Sequence, residues 1–289
     1  MMSDAAADAF SMVSTSSRYP TLARQLKMAV ARINRTLAAL DLSRASQVPR
    51  ESVCDATLAE WSAFQQTDGQ ALRSSYMEWI EGKIYIVELP SVEHDYYAHE
   101  FHNLIVIQPA VLNYLRGHST SSQPNRPQNE TKYEADASYG PEPQTRSRLP
   151  HGVPSFADWR TLVLEVGYAR RWGTSPGYLD WKAQMWAGVP GVRFILCVAV
   201  TNGLASAEFK LYTVHLQDER LQDLVPQPIV HPTLVSFNSR ELLGLQPGDP
   251  LPRDPPTPLG VPFPDPLVVD LHAVLVRARN VLIPLGAQV

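Results

Sequence analysis

A carboxylate lies in the middle of an apolar, strand-like run. Residues 161–168 read Thr-Leu-Val-Leu-Glu-Val-Gly-Tyr, with apolar side chains falling on both faces of the predicted strand. Such a strand belongs in the interior of a sheet covered on both sides. Glu165 at its centre is costly to bury unless a cation or a hydrogen-bond network receives it. The rest of the chain must therefore supply a partner. Upstream, residues 132–139 read Lys-Tyr-Glu-Ala-Asp-Ala-Ser-Tyr and offer a second acid, Asp136. Downstream, a helix predicted over 175–187 carries Lys182 in line with Tyr178, Met185, Trp186 and Val189.

If the two acidic strands pair with their faces aligned, Asp136 and Glu165 point to one spot. Oxygen ligands of that kind suit Mg²⁺ or Mn²⁺. A bound ion polarises a phosphate oxygen and acidifies an attacking water, while a lysine stabilises the charge that develops. Two acids and a lysine thus point to metal-dependent phosphodiester hydrolysis. Each residue also has a plainer reading. Asp136 caps a strand end, Glu165 pairs with an arginine such as Arg170, and Lys182 snorkels past the core.

The remaining elements give an α/β pattern. A helix is predicted over 19–40 with a stripe of Leu22, Leu26, Val30, Ile33, Leu37 and Leu40, and a shorter one over 55–66. A hairpin follows, residues 76–80 and 83–89 around Glu81-Gly82, then a long helix over 92–115. Strands are predicted around Asp136 and Glu165 and over 192–200 and 208–214. Prolines crowd 247–266, which reads as a surface linker, and an amphipathic helix is predicted over 265–285. The expected division is a disordered segment 1–18, a helical extension 19–75, a core 76–216, and a Pro-rich extension 217–289 ending in a helix.

Composition narrows the function classes. With 289 residues, 44% hydrophobic and 19% charged, the chain can bury a large core. The net charge of −4 excludes a general nucleic-acid coat. A nuclease of this charge needs a local basic cleft, for which Arg170, Arg171 and Lys132 are the candidates beside Lys182. The two cysteines, Cys54 and Cys197, form neither a disulfide framework nor a zinc spacing. His99 and His102 are three apart rather than four, which does not fit a zinc-peptidase helix. Residues 1–17 lack the basic, apolar pattern of a signal peptide, and no run is long enough to span a membrane. The expectation is an intracellular protein, nuclear or cytoplasmic, that is not secreted.

Residues 78–94, Glu-Trp-Ile-Glu-Gly-Lys-Ile-Tyr-Ile-Val-Glu-Leu-Pro-Ser-Val-Glu-His, resemble the opening of the restriction endonuclease-like family within the PD-(D/E)XK superfamily. In that family a Gly-turn hairpin leads to Pro, Ser and a His at a helix start. Residues 133–138 resemble the family's "P-D" strand in the form of its fungal relatives, and 162–168 its "E-V-x-S" strand. Ala135 replaces the proline, and Gly167 stands where the basic motif has lysine, so Lys182 corresponds to a lysine migrated to the next helix. The resemblance covers about residues 76–215. It implies a mixed central sheet flanked by helices, with helical N- and C-terminal additions. It further implies Asp136 and Glu165 as Mg²⁺ or Mn²⁺ ligands, Lys182 as the residue that positions the nucleophile, and a nucleic acid, DNA foremost, as the partner. The alternative is a catalytically degenerate member acting as a binding or assembly module, favoured by the acidic balance and Gly167. A small-molecule phosphoesterase would use the same metal logic. Homo-oligomers would form through the terminal helices at 22–40 and 265–285.

Overall fold

The computed structural model describes residues 19–41, 51–87, 91–118, 134–168, 172–215 and 219–282. The segment 1–18, Lys132, Arg170 and Arg171 lie outside them. The described chain is a mixed α/β fold with a six-stranded central sheet and seven α-helices.

An N-terminal layer comes first. Helix α1 (Tyr19–Ala39) buries Ala29, Ile33 and Leu37, whereas Leu22, expected in the same stripe, is exposed. Strand β1 (Glu51–Asp55) precedes α2 (Leu58–Gln65). Thr57 and Glu60 close a reciprocal capping box at the start of α2, which fixes its first turn. Strands β2 (Met77–Ile80) and β3 (Lys83–Ile86) form the expected hairpin. Glu81 and Gly82 both take positive φ, +48° and +85°, the backbone that a two-residue hairpin turn requires. The hairpin does not join the central sheet. It pairs with β1 in a separate antiparallel sheet of order β1-β3-β2. Trp61, Phe64, Met77, Ile84 and Ile86 bury against the C-terminal half of α1 to close this layer.

The central sheet follows. Helix α3 (Val92–Val106), capped by the Ser91 hydroxyl, ends earlier than the sequence suggests. The chain then turns through Ala110 at φ +62° into the short α4 (Val111–Tyr114). Strands β4 (Leu115–Gly117), β5 (Ala137–Pro141), β6 (Leu162–Gly167), β7 (Phe194–Val200), β8 (Ala207–Thr213) and β9 (Gln227–Pro228) lie in sequence order, with α5 (Leu179–Ala187) joining β6 to β7. Only β6 and β7 pair in parallel in this sheet, and α5 makes the crossover between them. Alternation along β6 divides the core. Leu162, Leu164 and Val166 face α3, and Val163 and Glu165 face α5.

The predicted linker 247–266 lies largely at the surface, with Phe263 buried, but the C-terminal extension around it is structured. The extension forms β10 (Leu234–Phe237), α6 (Ser239–Leu242), β11 (Arg253–Asp254), β12 (Val261–Pro262), β13 (Leu267–Asp270) and α7 (Leu271–Leu282). β10 and β13 pair antiparallel. Phe237, Phe263, Leu267, Val274 and Leu275 are buried in the same cluster as Tyr97, Phe101 and Ile105 of α3. The apolar face of α7, expected as an oligomer contact, is thus spent inside the chain. No helix among the described residues is long and apolar enough to cross a membrane.

Candidate functional site

Glu165 finds its partner on α5. Lys182 Nζ lies 3.2 Å from Oε2 and 3.4 Å from Oε1 of Glu165, and the Trp186 Nε1–H donates to Oε1 at 2.6 Å. Arg170, expected as the plainer partner, lies outside the described residues; Lys182 and Trp186, four residues apart, share the α5 face turned to β6. Lys182 also donates to the Glu134 carbonyl at 3.2 Å. Glu165 is fully buried and Lys182 is 2% exposed, so this is an interior charge cluster and not a surface ion pair.

A third acid enters the cluster that sequence reasoning missed. Glu78, on β2 of the N-terminal layer, places Oε1 3.4 Å from Lys182 Nζ with its side chain 3% exposed. Neither of its carboxylate oxygens receives a hydrogen bond among the described residues. One ammonium therefore serves two buried carboxylates. The available signal was the polar residue at an inward position of an otherwise apolar strand, since Met77 and Ile80 flank it in the interior. Nothing local in the sequence ties that position to Lys182, 104 residues later.

Asp136 lies one residue before β5, not within it. The ladder pairs Ala137 with Leu164, so the next step sets Asp136 across from Glu165. There the carboxylate replaces a strand carbonyl: Oδ2 accepts the Val166 N–H at 2.6 Å. Oδ1 lies 3.0 Å from Nε2 of His94, whose Nδ1 lies 3.0 Å from Asp95. His94 is delivered by the first turn of α3, where Ser91 caps its N–H. The two acids thus lie across from each other at one end of β5–β6 in backbone register, but their carboxylates are held from different sides, Glu165 by α5 and Asp136 by α3. Between them, burial raises the pKa of Glu134, with Lys182 opposing and Asp136 reinforcing the shift.

A second charge pair lies further along the same face. Asp180 Oδ1 accepts from Lys210 Nζ at 2.8 Å and from the Tyr212 hydroxyl at 2.6 Å, and Oδ2 accepts the Gly173 N–H at 2.6 Å. With both of its carboxylate oxygens engaged, Asp180 clamps α5 onto β8. Trp186 is the one of Trp79, Trp181 and Trp186 that is buried in full, and its indole also serves the acidic cluster.

Among the described residues, no three or more His, Cys, Asp or Glu side chains form a ready cage for a metal ion. Magnesium commonly takes only one or two carboxylates and keeps several waters. The chemistry of the donors fits such an ion. They are all oxygen, among the described residues they outnumber the cations beside them, and they include the Glu78 carboxylate, which there accepts no hydrogen bond.

Fold and site together define an α/β protein with a carboxylate–lysine cluster at one end of a mixed sheet. No family model matches the chain, and no curated protein does. Among solved structures, it is similar to a protein of Anabaena variabilis described as "a putative nuclease belonging to DUF820". The TM-score is 0.41 at 11% identity, over 72% of this chain and 93% of that one.

Proposed function

We propose that this chain is a metal-dependent nuclease-like hydrolase that cleaves phosphodiester bonds of nucleic acid, DNA foremost. The observation that carries the reading is the Lys182 ammonium 3.2 Å from Glu165, with Asp136 one ladder step across from it. Asp136 and Glu165 would hold Mg²⁺ or Mn²⁺. The ion, when bound, supplies positive charge to a phosphate oxygen and lowers the pKa of water. Lys182 keeps a proton-rich group beside Glu165, where it can orient a water and stabilise negative charge developing on phosphorus-bound oxygen. Trp186 fixes one Glu165 oxygen, so the carboxylate has one orientation. His94 does the same for Asp136. Exclusion of bulk water strengthens each of these charge interactions. Arg170 and Arg171, just after β6, would bind backbone phosphates.

Purified chain should nick DNA with Mg²⁺ or Mn²⁺ and lose that activity to a chelator. Glu165→Ala should abolish metal-dependent cleavage while circular dichroism still reports a folded chain. Cleavage that persists in the Asp136→Ala/Glu165→Ala double variant defeats the proposal.

A second reading is a degenerate fold that binds without cutting. It is favoured by the closure of the cluster, since Glu165 is fully buried with both oxygens in hydrogen bonds. Binding of DNA or RNA with no metal-dependent cleavage and no Mn²⁺ affinity would select it.

A further inference from the structure

Between α3 and the β4–β5 edge lies a cavity of about 410 Å³ that reaches Asp136 at one end. His94, His99 and His102 line it from α3, opposite Gly117, Ser138 and Tyr139. We propose that this cavity receives one nucleobase, taken out of the stack, from the strand whose phosphate the ion at Asp136 would hold. The identity of the ligand as a nucleotide rests on the nuclease reading given above.

Several observations converge on a flat, uncharged ligand. The volume lies in the range of small-molecule sites and admits one nucleotide but not a base-paired duplex. His102, which lines the cavity, stacks on Tyr139 with ring centroids 5.9 Å apart and planes 16° from parallel. Gly117 makes that arrangement possible, because a Cβ there would lie 2.9 Å from Cε1 of His102. Burial lowers the His102 pKa and His99 lowers it further, so the ring is a neutral donor and acceptor at pH 7. The carboxylates that border the cavity, Asp95 and Asp136, disfavour a free anion there. An aromatic-walled pocket with hydrogen-bonding groups of both senses suits a base, which stacks on one face and pairs along its edge. The consequence for the proposed reaction is a preference for unpaired strands or frayed ends over intact duplex.

The test uses the full chain with labelled histidine, in EDTA, followed by NMR. Deoxyadenosine should shift the His99 and His102 ring signals saturably, whereas 2-deoxyribose 5-phosphate should not. His102→Ala should weaken the nucleoside about tenfold. Gly117→Ala, which keeps the ring but displaces it, should do the same. The inference is overturned if deoxyadenosine moves neither ring, or if the sugar phosphate moves both equally. No metal and no turnover enter the measurement, so its outcome stands apart from the cleavage assay. Nucleoside binding without cleavage would defeat the nuclease reading alone. Cleavage without nucleoside binding would defeat this inference alone.

Discussion

At the scale of single residues, Glu165 and Glu78 share one ammonium among the described residues. Glu165 has Lys182 and Trp186, while Glu78 lies 3.4 Å from the same ammonium and accepts no hydrogen bond among the described residues. The two partners of Lys182 are therefore unequal. Lys182→Met strands both carboxylates in the interior and should cost about 3–5 kcal/mol in urea unfolding. Glu78→Gln removes a buried charge without removing any hydrogen bond and should leave stability unchanged or raise it. An equal loss in the two variants would mean that Glu78 is a structural partner of Lys182. A stabilising Glu78→Gln is the behaviour of a group kept at the expense of stability for function. Much at this scale was legible in sequence. Glu165 announced itself as a carboxylate amid apolar residues, and the α5 periodicity put Lys182 on the inward face. Glu78 was not legible, because its partner comes from a different layer of the fold.

At the scale of elements, the β4–β5 edge is held by close backbone approach and one buried imidazole. A Cβ on Gly140 would fall 1.8 Å from the Trp159 carbonyl oxygen, so only glycine lets these segments meet. His118 follows β4, donates its N–H to the Ser138 carbonyl at 2.8 Å, and is 8% exposed. Burial, with help from Arg160 and Arg116, pushes its pKa down to about 4, while Trp159 and Asp158 oppose the shift. A histidine depressed on folding favours the neutral form in the native state. Its contribution is complete above the unfolded value of about 6.5 and is lost as pH falls toward 4. A shift of that size corresponds to stability on the order of 3 kcal/mol. Urea melts at pH 7.5 and 4.5 should therefore show a larger acid loss in the wild type than in His118→Gln. Identical losses would remove His118 as the cause. Elements whose signals are local were read correctly: the Glu81-Gly82 hairpin and strands β6, β7 and β8. β13 was read as the start of a helix because Leu267, Val268 and Leu271 satisfy helical spacing as well as they do a short strand. β1 was missed because five residues carry too little pattern to separate a strand from a loop.

At the scale of the whole molecule, a net charge of −4 opposes a polyanion, so phosphate binding must be concentrated locally. Arg170→Ala/Arg171→Ala should weaken DNA binding and flatten its dependence on salt by a log–log slope of roughly two. Titrations by fluorescence anisotropy at several salt concentrations measure the slope, and an unchanged slope moves the phosphate contacts elsewhere. Two layers and a C-terminal segment make up the described fold, and the acidic cluster draws on two of these parts: β2 brings Glu78, and the central sheet with α3 and α5 brings the rest. The sequence by itself determined what depends on near neighbours: the α/β class, the buried strand around Glu165, the hairpin turn, and the inward face of α5. Only the tertiary structure decided that the hairpin pairs with β1 instead of the central sheet. The same holds for the Pro-rich segment, whose Phe263 and Leu267 complete the core, and for the joining of Glu78 and Lys182 in one cluster. Periodicity reports which side of an element is buried. What it is buried against depends on long-range packing that no local pattern encodes.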